Sequence, residues 1–135
     1  MESVLVVDDE PEVLALARDM LEARGFAVLT AGNPEEALRL AEVHPEPIHV
    51  LLTDVVMPGL NGRELAERLR AIRPDTKVIY MSGHSSEVVG DYGVRVPADS
   101  FVAKPFTMER LVGKVREKLG HRSPFSKPPG GPPRR

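Results

Sequence analysis

Five short apolar runs alternate along the chain with stretches whose apolar residues recur at helical spacing. The runs are Ser3 to Val7, Phe26 to Ala31, Ile48 to Thr53, Lys77 to Ser82 and Ser100 to Ala103. Near-continuous apolar runs of this length read as strands covered on both faces. Between them, Val13, Leu14, Ala17, Met20 and Leu21 share one helical face, and Leu65, Leu69 and Ile72 share another within a helix over Gly62 to Arg73. Leu111, Val112, Val115 and Leu119 form the inward face of a last helix, capped by Thr107. Pro11 suits a first helical turn, and Gly25 a C-terminal stop. Asn33-Pro34-Glu35-Glu36 joins an N-cap, a proline and two acids at the positive end of a helix. That helix runs to about His44, where Pro45 and Pro47 end it. A short, loose helix is expected over Ser85 to Asp91, close to Gly90, Gly93 and Pro97. Five strands alternating with five helices predict an α/β fold, a doubly wound parallel sheet with helices on both faces.

In such sheets functional groups gather at the carboxyl ends of the strands. The first strand ends on Asp8-Asp9, the third on Asp54, the fourth on Ser82-Gly83 and the fifth on Lys104-Pro105. The second, ending on Ala31-Gly32, brings nothing reactive, as suits an edge. Asp8-Asp9 seen alone would read as helix-capping acids, and Ser82 as a turn residue. Asp54 and Lys104 at matching strand ends change that reading. Each carboxylate pair at ~4 Å repels by a few kcal/mol at an effective dielectric near 20. A hard divalent cation held by oxygen ligands, Mg²⁺ in particular, relieves the repulsion, and Lys104 adds a further positive charge. A carboxylate nucleophile beside Mg²⁺, an ammonium and a hydroxyl is suited to phosphoryl transfer.

This constellation resembles the receiver domain of two-component response regulators and hybrid histidine kinases. The likeness covers residues 2 to about 119. It rests on the order Asp8-Asp9, Asp54 before Met57-Pro58-Gly59 and Asn61-Gly62, Met81-Ser82-Gly83, and Lys104-Pro105-Phe106. The resemblance implies a flavodoxin-like, CheY-like sheet of order 2-1-3-4-5. It implies Asp54 as phosphoacceptor, Asp9 as a direct Mg²⁺ ligand, Asp8 acting mostly through water, and the backbone carbonyl of Val56 as a further metal contact. Ser82 is then the hydroxyl that moves toward the phosphoryl group, with Gly83 leaving room, and Lys104 contacts both Asp54 and a phosphoryl oxygen. A cis Lys104-Pro105 bond is expected. Receivers often carry tyrosine three residues before the lysine; here the switch position is Phe101, which has no hydroxyl. His84, two residues after Ser82, is expected to slow the approach of water, together with Val56.

Composition narrows the reading further. There is no cysteine, hence no disulfide framework or thiolate metal site, which fits a cytoplasmic protein. No apolar run reaches membrane-spanning length, and with Asp8, Asp9 and Glu10 near the start no signal peptide is expected. His44, His49, His84 and His121 lack metal-ligand spacing, and Met57, Met81 and Met108 read as packing residues. Residues 120–135 carry Arg122, Lys127, Arg134 and Arg135 and no acid, while the first 119 residues hold 14 basic and 20 acidic residues. The expected organisation is a receiver over 1–119 and a disordered, basic, Pro/Gly-rich tail over 120–135. An acidic body argues against nucleic-acid binding, and sixteen tail residues cannot form a DNA-binding output domain. The effect is therefore expected through protein contact at the face of the fourth helix, fifth strand and last helix. The expected partners are a sensor histidine kinase or histidine phosphotransfer protein, and a phosphorylation-dependent homodimer. The chain is expected to modify itself and lose phosphate slowly rather than turn over a substrate. Two other readings compete. A haloacid-dehalogenase-like phosphohydrolase also uses an Asp nucleophile, but needs an acid where Val56 stands. A docking module that is never phosphorylated would not need the full acid, Ser and Lys set.

Overall fold

A computed structural model describes residues 1–83 and 96–120. His84, the expected helix over Ser85 to Asp91 and the tail from residue 121 lie outside the described residues. In chain order the elements are β1 (Ser3–Val7), α1 (Pro11–Glu22), β2 (Ala27–Ala31), α2 (Pro34–Val43), β3 (Val50–Asp54), α3 (Gly62–Ile72), β4 (Lys77–Ser82), a 3₁₀ turn (Ala98–Ser100), β5 (Phe101–Ala103) and α4 (Met108–Lys118). The strands form one parallel sheet in the order β2-β1-β3-β4-β5. Order and direction agree with the expected topology, and four of the five expected helices fall among the described residues.

Strand side chains alternate between faces, so each strand feeds two cores. Leu5, Val7 and Leu51 pack against Ala37 and Ala41 of α2 and Leu65 and Leu69 of α3. Val4, Val6, Leu52, Ile79 and Met81 pack on the other face against Ala17 and Leu21 of α1 and Leu111 and Val115 of α4. Each fully buried aliphatic side chain contributes roughly 1.5–3 kcal/mol. The helices start where local chemistry places them. Asn33 Oδ1 accepts the Glu36 N–H at 2.8 Å, and Thr107 Oγ1 accepts the Arg110 N–H at 3.2 Å. Asn61 and Glu64 form a reciprocal capping box at the start of α3.

Three expectations shift. Ile72 is not an inward residue: it is 39% exposed, and Ala66 is buried beside Leu65 and Leu69 instead. Helical periodicity tells which side a residue faces, but not how far the covering layer extends. β3 begins at Val50 rather than Ile48, and it ends on Asp54 as expected, where pairing with Met81 closes the ladder. Ser100 belongs to the 3₁₀ turn, which shortens β5 to three residues.

The end of the sheet away from the acids is tied together by polar side chains. His49 Nδ1 accepts the Ser3 N–H at 3.0 Å, and Ser3 Oγ donates to the Pro47 carbonyl at 2.6 Å. Thr76 Oγ1 donates to the Ile48 carbonyl at 2.7 Å. The guanidinium of Arg73, the residue after α3, donates to the Ala41, Glu46 and His44 carbonyls around the end of α2.

Candidate functional site

Parallel pairing brings the strand ends to one rim. The Asp8 N–H donates to the Ala31 carbonyl and extends β1 by one step. The Asp8 side chain is fully buried; Oδ1 accepts the Glu10 N–H at 2.9 Å and Oδ2 accepts from Lys104 Nζ at 3.0 Å. Asp54 lies beside Met81, and Ser82 beside Ala103. The Lys104 N–H donates to the Ser82 carbonyl at 2.7 Å, which fixes the backbone from which the lysine projects. The Lys104-Pro105 peptide is cis, as expected. Lys104 Nζ also stands 3.5 Å from Asp54 Oδ2 and 3.5 Å from Glu10 Oε1.

The start of α3 rests on the backbone that carries Asp54. The Gly62 N–H donates to the Val55 carbonyl at 2.8 Å. A Cβ on Gly62 would stand 2.2 Å from the Asp54 carbonyl oxygen. The glycine is therefore required by close approach, not by a special backbone angle.

The electrostatics follow from burial and charge. Burial pushes the Asp54 carboxyl up to about 6; Lys104 opposes the shift, and Asp8 and Asp9 add to it. Burial likewise raises Asp8, against the Glu10 N–H and Lys104. Burial alone would lower Lys104, but the Asp8 hydrogen bond and the charges of Asp54, Asp8 and Glu10 win and raise it. The lysine stays charged, and the carboxylates around it are in excess.

Asp8, Asp9 and Asp54 each offer a carboxylate oxygen, all within 4.8 Å of one another. An all-oxygen set of this charge and spacing fits a hard divalent cation. Asp8 already uses both oxygens, which leaves Asp9 and Asp54 the freer donors. Asp9 and Asp54 open into a cleft of about 580 Å³, lined also by Glu10, Val56, Ser82, Gly83 and Lys104, while Asp8 lies buried behind it. Ser82 is buried at the cleft wall, and Val56 is 49% exposed at its edge. Phe101 is half-buried against the core that contains Tyr80.

The sequence-derived residues Asp8, Asp9, Asp54, Val56, Ser82 and Lys104 thus converge, and Phe101 stands apart on β5. Glu10 was missed as a site residue. Its pairing with Lys104 joins groups far apart in the chain, and no local signal marks it beyond its place after Asp8-Asp9.

Comparison with known proteins agrees with this geometry. The family described as "Response regulator receiver domain" matches residues 4–116. The transcriptional regulatory protein CpxR of Escherichia coli (strain K12) is 36% identical over 119 residues, covering 88% of this chain and 50% of CpxR. The sensor kinase CckA of Brucella abortus (strain 2308) is 34% identical over 120 residues, covering 87% of this chain and 12% of the kinase. The chain thus spans half or less of these relatives. The crystal structure of the response regulator protein TrrA from Thermotoga maritima, in complex with Mg²⁺-BeF, superposes with a TM-score of 0.70 at 33% identity, covering 88% of this chain and all of that one. No helix among the described residues is long and apolar enough to cross a membrane. By fold, by strand-end chemistry and by relatives, the chain belongs to the response regulator receiver domain family of two-component signalling.

Proposed function

We infer that the chain accepts a phosphoryl group onto Asp54 from a phosphohistidine of a sensor kinase or phosphotransfer protein. The observation that carries this reading is the Asp54 carboxylate at the end of β3, facing an open cleft 3.5 Å from Lys104 and within a three-acid cluster. In the transfer, an Asp54 oxygen attacks phosphorus, the P–N bond to histidine breaks, and an acyl phosphate forms. Lys104 supports negative charge on the equatorial oxygens, and the Ser82 hydroxyl donates to one of them. Asp9, Asp54 and the Val56 carbonyl would hold Mg²⁺, with Asp8 facing it through water. Bound there, the ion supplies charge neutralisation that one ammonium cannot provide. Water later hydrolyses the acyl phosphate. The chain is itself the modified species, and slow self-dephosphorylation is its only turnover.

The added charge of about −1.5 to −2 at the rim biases the face that includes β5 and α4, with Ser82 and Phe101 as the moving parts. A receiver over 1–119 with a basic tail over 120–135 is part of this proposal, supported by the family match ending at residue 116. So are a cytoplasmic location, supported by the absence of cysteine, and a phosphorylation-dependent homodimer on the same face. The phosphohydrolase reading is set aside, because Val56 stands where its general acid is needed and the family is that of receivers.

Intact mass after incubation with acetyl phosphate tests the reading. One phosphoryl adduct is expected in Mg²⁺, none in EDTA and none in Asp54→Asn. An adduct that persists in Asp54→Asn would overturn the assignment.

A further inference from the structure

Among the described residues, Lys104 brings the single ammonium of this rim, and three carboxylates share it. Asp8 Oδ2 is 3.0 Å from Nζ, Asp54 Oδ2 is 3.5 Å away and Glu10 Oε1 is 3.5 Å away. An ammonium has three hydrogens to donate. Asp8 takes a hydrogen bond from Lys104, and Asp54 and Glu10 hold it at ion-pair distance, so an arriving oxyanion competes with these carboxylates for the same charge and one of them has to yield. Asp8 is poorly placed to do so. Its side chain is fully buried, and its other oxygen is held by the Glu10 N–H. Asp54 is the proposed acceptor. Glu10 is the remaining candidate, and its side chain is 61% exposed, so water can take up the released carboxylate.

A second feature points the same way. Glu10 occupies the N-cap position of α1, yet its side chain makes no capping hydrogen bond. The carboxylate is turned to Lys104 instead, and the start of α1 relies on Pro11.

We propose that Glu10 is a positioning residue for Lys104, an exchangeable third partner that holds the ammonium beside Asp54 in the unmodified chain and is displaced by phosphoryl oxygens in the modified one. The inference rests on the phosphoacceptor reading and adds to it the group that competes with the phosphoryl for Lys104. Glu10 thereby weakens acceptance of the phosphoryl by about two- to fivefold, the range that an exposed ion pair allows.

The test is a beryllofluoride titration at saturating Mg²⁺, followed by amide NMR, of wild type, Glu10→Gln, Glu10→Asp and Asp54→Asn. Both Glu10 variants are expected to bind beryllofluoride about two- to fivefold more tightly than wild type. Glu10→Asp keeps the charge, but its carboxylate falls short of Nζ and is the right length to cap α1. In metal-free protein the Lys104 ammonium resonance is expected to move in both Glu10 variants. Unchanged or weaker binding by Glu10→Gln overturns the inference. So does a Glu10→Asp variant that matches wild type while Glu10→Gln tightens, because charge alone would then explain the effect. Wild type as silent as Asp54→Asn would overturn the phosphoacceptor reading itself, and the inference with it.

Discussion

The two ends of the sheet handle polar groups in opposite ways. At the amino end of the strands, Ser3, Thr76 and Arg73 each donate to backbone carbonyls, and His49 accepts a backbone N–H. Those groups hold the turns where chain segments meet. At the carboxyl end, Asp8 and Asp54 are buried with one shared ammonium, and burial raises both their pKa values. The first end satisfies its polar groups internally. The second leaves an excess of negative charge that a cation can relieve. Stability concentrates at one end and reactivity at the other, within the length of a five-residue strand.

Three substitutions press on that contrast. Gly62→Ala crosses it, since it lies at the reactive end but acts on packing. Its Cβ meets the Asp54 carbonyl, which is backbone and yields poorly, so a loss of about 3 kcal/mol is expected. Urea denaturation measures that loss, and the phosphoryl adduct should fall with it, because Asp54 has to shift. Arg73→Ala removes donors from three carbonyls and should cost about 2 kcal/mol. Adduct yield at a temperature where the variant stays folded should match wild type; a changed yield would mean that the two ends are coupled.

The smallest expected effect has the opposite sign. The Asp54 carboxyl sits at about 6 in the folded chain against an ordinary 3.8. Below the lower value both folded and unfolded chains hold the proton, and the full stability is present. As pH rises toward the higher value the unfolded chain releases it first, so stability falls, and the loss is complete above about 6. In EDTA, Asp54→Asn should therefore be more stable than wild type by about 1–2 kcal/mol at neutral pH. The gap should close on acidification or on adding Mg²⁺. A gap that does not depend on pH would show that Asp54 ionisation is not its source.

Much of this molecule was legible before folding. The Asn33 and Thr107 caps and the apolar runs of β1 and β3 are local features, decided by residues within a few positions of one another. Asp8, Asp9, Asp54, Ser82 and Lys104 were legible as a set because a parallel sheet sends every strand end to the same rim. The Arg73 clamp and the turning of Glu10 to Lys104 were not, since each joins groups far apart in the chain through one long, flexible side chain. Ile72 was misread for a related reason: its helical phase is inward, but its exposure depends on what lies over the last turn of α3.

Local chemistry was enough to place the strands, start the helices and name the reactive groups, because backbone preferences and burial patterns act over a few residues. Which carboxylate takes the shortest bond to Lys104, and how closely Gly62 lets α3 approach Asp54, were decided only by packing. Those outcomes turn on how closely segments approach that meet only in the folded chain.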